Sequence, residues 1–170
     1  MTKFKMDLHI HTPASKCYKG PKNDTEYFEI LKSASEQNLD IIAITDHNTV
    51  AGYEKLMLLK EDVNKKIGFL EAYQNESYRM KTEYDDMVKK KSMFDNILIL
   101  PGIEVTVNPG IHILVIGNVT DVDLLSDLLT EVGYSHEMRG NDCDNAIDID
   151  IINFLKNPKL EKLIISAPHM

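Results

Sequence analysis

Five short apolar runs recur along the chain: MDLHI at 6–10, LDIIAIT at 39–45, NILILPGIEVTV at 96–107, IHILVIG at 111–117 and KLIISA at 162–167. Their lengths and flanks predict strands. Several are apolar almost throughout, which implies burial on both faces and hence a parallel sheet or barrel covered by helices; a one-sided antiparallel sheet would alternate cleanly. Between the first two runs, NDTEYFEILKSASEQN offers helix-capping candidates at Asn23, Asp24 and Thr25 and spaces Tyr27, Phe28, Ile30, Leu31 and Ala34 at helical intervals. Strand, helix, strand is a βαβ unit, so the predicted fold class is α/β. Residues 49–66 and 69–93 are helix-like but charged, with KEDVNKK and VKKKS, and read as an exposed helical insertion rather than a binding arm. Asn108-Pro109-Gly110, between two β-like runs, predicts a tight hairpin. Helical patterns return at 121–132 and 145–156, separated by the polar segment SHEMRGNDCDN.

Composition narrows the class. With 170 residues, 43% hydrophobic and 27% charged, the chain has the size and mix of one globular domain, which excludes disorder as a description of the whole. Its 19 Lys+Arg against 27 Asp+Glu give a net charge of -8, so it lacks the global basic field of a non-specific nucleic-acid binder. The start MTKFKMDLHIH has no apolar signal core, and no run approaches the ~18 residues of a membrane span. The expectation is a cytoplasmic protein without membrane contact. Two cysteines, Cys17 and Cys143, cannot build a disulfide framework. Neither a G-x-S-x-G elbow nor a G-x-x-x-x-G-K-[ST] loop occurs, which argues against serine-nucleophile and P-loop chemistry in this segment.

The chemistry-bearing residues cluster at the strands. Asp7, His9 and His11 alternate with Met6, Leu8 and Ile10, so a regular strand would place the three polar side chains on one face. Two imidazoles at i and i+2 can converge on one ion, though a pair of satisfied surface histidines would look the same. Asp46 and His47 follow the second run directly; Asp46 or Asn48 could equally cap the next helix. In PGIEVT, Glu104 and Thr106 point opposite to Ile103, Val105 and Val107, and an acid among such neighbours is costly unless paired. The hairpin can return His112 beside Glu104, and His169 follows the last run. Ligands of parallel α/β folds gather outside the carboxyl ends of strands. His and carboxylate ligands without a Cys cluster point to a catalytic first-row metal site (Zn, Mn or Fe), with Glu104 as the natural bridge between two ions. His136, in the polar loop, has no strand behind it and reads as a surface histidine.

DLHIHTPAS, ITDHNTVAGY and PGIEVTVNPGIHILVIG resemble, in order and type, the first three motifs of the PHP (polymerase and histidinol phosphatase) family, and SAPHM is similar to its next His-Pro-type motif. The resemblance covers most of the chain, making 1–170 one PHP-type domain with 60–95 as an insertion. It implies a distorted (β/α)7 barrel that holds two or three divalent ions at the ends of its strands and hydrolyses phosphoesters. On this resemblance His9 and His11 bind one ion and Glu104 bridges. His47, His112 and His169 complete the other positions, with Asp7 and Asp46 as further ligands or as acceptors that orient histidines. His9, His11, Asp46 and Glu104 are then the catalytic candidates. Two departures stand out. Where many members place a further His or Asp ligand, this chain reads Ser15-Lys16-Cys17. A thiolate ligand at Cys17, a phosphate contact from Lys16, a weak metal position and a non-ligating Cys17 all stay open. The family's last Asp-x-His motif is absent before Met170, so the barrel is expected to be incomplete at the C-terminus. The residues then form the N-terminal portion of a longer protein, or are closed by a partner or another copy.

The resemblance implies metal-dependent hydrolysis in which bound divalent ions activate water, and a cationic site would admit an anionic ester to an acidic protein. The expected substrate is a phosphate ester of a nucleotide or nucleic-acid end. HTPAS, ITDHNTVAGY and PGIEVT are most similar to PHP domains fused in front of P-loop ATPases, so a P-loop ATPase in the same or a partner chain is the expected partner. Two competing expectations are a non-catalytic docking module of an ATPase or polymerase assembly, and a metal-storage or metal-sensing protein.

Overall fold

Strands β1 (Met6–Ile10), β2 (Ile41–Ile44) and β3 (Leu98–Asn108) lie parallel and adjacent, joined by helical crossovers. The computed structural model describes residues 3–141 and 147–168. Helix α1 (Asp24–Glu36) joins β1 to β2; its cap is Asn23, whose side chain accepts from the Thr25 and Glu26 amides. Helices α2 (Ala51–Glu71) and α3 (Tyr78–Asn96) form the longer crossover from β2 to β3. The segment 60–95 is therefore more than an exposed insertion: Val63, Leu70, Met87 and Phe94 are buried against Ile42, Ile44, Ile97 and Ile99. Its charged residues occupy the outward face, which is what the sequence pattern registered. No helix among the described residues is long and apolar enough to cross a membrane.

Beyond β3 the sheet changes direction. The hairpin at Pro109 and Gly110 leads into β4 (Ile111–Ile116), antiparallel to β3, and β6 (Ile164–Ser166) pairs antiparallel with β4. The order is β1-β2-β3-β4-β6, with β5 (Ile147–Asp150) on β3. The fold is mixed α/β: β1, β2 and β3 pair in parallel as expected, β5 also pairs in parallel with β3, and the expected hairpin at Asn108-Pro109-Gly110 makes β4 antiparallel to β3. A second core joins Ile103, Val105 and Val107 of β3 and Ile113 and Val115 of β4 to Leu125, Leu128 and Leu129 of α4 (Val122–Glu131). The segment 145–156, expected to be helical, holds β5 and then only α5 (Ile151–Leu155). Its IDID alternates with period two, and Asp150 caps α5 by accepting from the Asn153 amide.

Two local features aim the functional side chains. Asp7 pairs with Ile42 and Ile10 with Ile44, so β1 spends three residues where β2 spends two. This bulge reverses the alternation between Asp7 and His9. Asp7 consequently lies on the helix side, lining a hollow with Ile10, Ile30, Ser33, Ala34, Gln37 and Leu39. The second feature is a polar knot around Asp46, which is fully buried. Asp46 Oδ1 accepts from the Thr12 amide (2.6 Å) and Ser15 Oγ (2.8 Å), and Oδ2 accepts from Thr12 Oγ1 (2.7 Å). Ser15 Oγ in turn accepts from the His47 amide (2.9 Å). The knot fits only because α2 brings a glycine to it: a Cβ on Gly52 would stand 1.9 Å from Asp46 Oδ2 and 2.3 Å from Thr12 Oγ1.

Asp46→Ala would strand three buried donors, each worth about 1–3 kcal/mol when unsatisfied, so urea denaturation should show a loss of about 3 kcal/mol or more. Asp46→Asn keeps an acceptor for the Thr12 amide and should cost clearly less. Gly52→Ala should be as disruptive as Asp46→Ala, because its methyl overlaps the carboxylate. Equal stability of the alanine and asparagine variants would show that these bonds do not hold the loop.

Candidate metal centre

Parallel β1, β2 and β3 finish at one rim of the sheet, and β4, running the other way, begins there. That reversal explains how a residue at the start of a strand joins residues at the ends of others. Past Ile44 the β2 line continues as irregular chain: the Glu104 amide donates to Asp46 O (3.0 Å), the Asn48 amide donates to Glu104 O (3.0 Å), and His47 bridges Glu104. Asn48 turns the backbone there at φ 56, a left-handed conformation that asparagine tolerates well. His112 pairs with Thr106, one pleat along from Glu104, so their side chains meet diagonally on the same face.

Glu104 is the hub. Its side chain is 2% exposed, and one oxygen, Oε2, lies 2.8 Å from His11 Nε2, 3.1 Å from His9 Nε2 and 3.5 Å from His47 Nδ1. The other, Oε1, lies 2.6 Å from His112 Nδ1. Burial alone would raise the carboxyl, but the His11 hydrogen bond, the His47 charge and the His9 and His112 hydrogen bonds outweigh it and hold it at about 2. His9 Nε2 and His11 Nε2 are themselves only 3.0 Å apart. Two neutral imidazoles can share at most one proton between facing nitrogens, so this crowd of lone pairs around an anion suits a cation at its centre. Three groups of donor atoms lie close enough to hold one: His9, His11 and Glu104; His47, Glu104 and His112; and His11, Cys17 and His47. The donor chemistry, imidazoles with one carboxylate, fits first-row divalent ions.

The other expected residues fall elsewhere. Asp7 belongs to none of these groups, because the bulge turns it to the helix side; its carboxylate accepts from the His9 amide (3.1 Å). Asp46 is also outside them and serves the loop knot, with burial pushing its carboxyl up despite the Thr12 and Ser15 bonds. His136 is exposed, on a short turn of helix at His136–Met138. His169 and Cys143 lie outside the described residues.

Several supporting residues carried no sequence signal. Ser15 and Thr12 became visible only through Asp46. Gly140, from the polar loop after α4, accepts from the Lys16 amide (2.7 Å) and donates to His47 O (3.0 Å), tying the loops that follow β1 and β2 to each other. At φ 75, with Ala14 O only 2.8 Å from where a Cβ would stand, it is a position that only glycine fits. Tyr134, whose hydroxyl donates to Thr106 O (2.9 Å) and accepts from the Thr106 amide (3.2 Å), pins β3 two residues beyond Glu104. Burial raises its phenol to about 12, so it stays protonated and able to donate.

No family model matches the chain. It is 35% identical over 69 residues to an uncharacterized protein of Methanocaldococcus jannaschii, MJ1587, a match covering 38% of this chain and 40% of that one. Among solved structures, it is similar to a provisionally named metal-dependent phosphoesterase of Bifidobacterium adolescentis (TM-score 0.41, 18% identity, 77% of this chain and 34% of that one). It is also similar to an amidohydrolase of Chromobacterium violaceum (TM-score 0.40, 20% identity, 75% of this chain and 33% of that one). The chain thus spans about 40% of its curated relative and about a third of each solved structure.

Proposed function

We propose that this chain carries the metal centre of a divalent-metal-dependent phosphoester hydrolase. The observation that carries the reading is Glu104, a buried carboxylate with both oxygens engaged by imidazoles from β1, β4 and the extension of β2. His9 and His11 with Glu104 would hold one ion, and His47 and His112 with Glu104 a second. Such ions supply a polarised phosphoryl oxygen and an activated water at neutral pH. The protein's own share is positional. Glu104 can hold its charge without a proton, the Asp46 knot and Gly140 fix the loops that carry the imidazoles, and Ile103, Val105 and Val107 of β3 pack in one apolar cluster with α4.

A phosphate ester of a nucleotide or nucleic-acid end suits the approach to this site. Residues 12–22 contain Lys16, Lys19 and Lys22 and no acidic residue, in a chain of net charge -8, and Lys22 Nζ donates to Ser15 O (3.1 Å). This loop therefore offers local positive charge next to the cluster. The proposed partner, a P-loop ATPase in the same or a partner chain, rests on motif similarity alone.

Metal analysis of the purified chain, followed by assay on nucleotide and oligonucleotide phosphoesters, tests the reading. Stoichiometric first-row metal and chelator-sensitive hydrolysis are expected. Glu104→Gln and His9→Ala should each lower metal affinity by more than the roughly 10–100-fold that follows loss of an outer-sphere partner, with hydrolysis falling alongside. A folded, metal-free, inactive chain would instead favour the docking-module reading, and bound metal without turnover the storage or sensing one.

Acid should separate metal loss from unfolding. The folded Glu104 carboxyl is depressed, so its favourable pairing is complete above the ordinary value of 4.5 and is lost only as pH falls through about 2. Imidazoles must be neutral to bind metal, so acid weakens metal binding. Metal release should precede loss of the far-UV circular dichroism signal, and the Glu104 carboxyl carbon of the apoprotein should titrate near 2 by NMR. A midpoint near 4.5 would mean that the imidazoles do not hold the carboxylate.

A further inference from the structure

We propose that Cys17 is a thiolate ligand of this centre, binding a borderline-soft divalent ion of the zinc and ferrous-iron class together with His11 and His47. The inference rests on the metal reading above and adds to it a sulfur donor that competes with Glu104 for His11 and His47 and, with it, a metal preference. Three observations carry it. Cys17 Sγ lies 2.9 Å from His11 Nδ1, and the donor atoms of His11, Cys17 and His47 all fall within 4.8 Å of one another. Donors on one tetrahedral zinc stand roughly 3.3–3.6 Å apart, from zinc–sulfur and zinc–nitrogen bonds of about 2.3 and 2.0–2.1 Å, so this trio needs only small adjustments to share an ion.

The sulfur is also held in place. On its N-terminal side Ser15 is fixed by Asp46 and by the His47 amide, and the Lys16 amide is tied to Gly140 O. On its C-terminal side the Tyr18 amide donates back to Ser15 O (3.3 Å). A cysteine built into a loop this constrained, beside two imidazoles and among lysines, has the setting of a ligand rather than of a small apolar filler.

Finally, His11 aims both ring nitrogens at the cluster, Nε2 at Glu104 Oε2 and Nδ1 at Cys17. A neutral imidazole has one lone pair, so His11 either ligates beside Cys17 or donates an N–H to it. The spectrum of the cobalt-loaded protein distinguishes the two.

The full chain is loaded with Co(II) and its absorption recorded. Thiolate ligation gives a sulfur-to-cobalt charge-transfer band in the near ultraviolet, which imidazole and carboxylate ligands do not. The band is expected in the wild type and in Cys143→Ser, and its loss in Cys17→Ser with visible d–d bands retained. Cys17→Ser should also bind zinc at least about tenfold more weakly, the lower end of what an outer partner alone contributes. Cobalt bound with d–d bands but no sulfur band, or a band that disappears in Cys143→Ser instead, overturns the proposal and leaves Cys17 as a hydrogen-bond acceptor of His11. No cobalt binding at all would overturn the metal reading of the whole cluster, a different failure. A wild-type spectrum without the sulfur band overturns the proposal with no variant needed, and where the band is present Cys143→Ser assigns it even if Cys17→Ser folds poorly.

Discussion

A carboxylate cannot be buried in an α/β sheet without an answering charge, and Glu104 is 2% exposed in the middle of β3. Every neighbouring element supplies part of the answer. β1 contributes His9, the residue that follows it is His11, the extension of β2 contributes His47, and β4 contributes His112. The reversal of β4 serves the same end, since an antiparallel strand can bring its first residues to the rim where parallel strands bring their last. Replacing the four imidazoles by apolar side chains would leave an unpaired buried anion, so the strand arrangement and the site stand or fall together.

The second requirement is rigidity in segments that are not strands. Ligands on loops are mobile unless the loop backbone is tied down. Here the loops after β1 and β2 are tied to each other through Asp46 and Ser15, and to the distal loop through Gly140. Two glycines make this possible for opposite reasons. Gly52 yields the space that the Asp46 carboxylate occupies, whereas Gly140 takes a left-handed turn against Ala14 that a side chain would obstruct. Asp46 is thus a carboxylate that organises the site without joining the donor groups, and its raised proton affinity reflects burial, which outweighs the Thr12 and Ser15 hydrogen bonds.

What was legible in the sequence follows from how local each signal is. Apolar runs located the strands, and residues at the strand ends located His9, His11, His47, Glu104 and His112, because strand direction is all that is needed to gather them. Asp7 was misplaced because a one-residue bulge is invisible to a period-two pattern, yet it reverses every side chain on one side of it. The antiparallel β3–β4 pair was announced by Asn108-Pro109-Gly110, whereas the antiparallel pairing of β6 with β4 was hidden, since buried antiparallel strands are apolar on both faces just as parallel ones are. β5 was masked by an apolar and acidic repeat that suits a helix or a strand. Gly140 acts through its backbone and Tyr134 through its hydroxyl, both on backbone groups far away in sequence, and no local pattern marks such partners.

Ligand arithmetic constrains how the centre can be filled. The described donor groups comprise four imidazoles, one thiolate and the two oxygens of Glu104, a total of seven donor atoms. A catalytic ion takes about three protein donors and leaves a position for water or substrate, so these seven suit two ions, and a third would need ligands from other residues. Glu104 alone can serve two ions at once; each neutral imidazole must choose. His11 and His47 are the contested ones, since each belongs both to a group with Glu104 and to the Cys17 group. An oxygen-preferring ion would draw them toward Glu104, and a sulfur-tolerant one would draw them toward Cys17. Metal identity and the arrangement of the centre are therefore one question, settled by the side to which these two imidazoles are pulled.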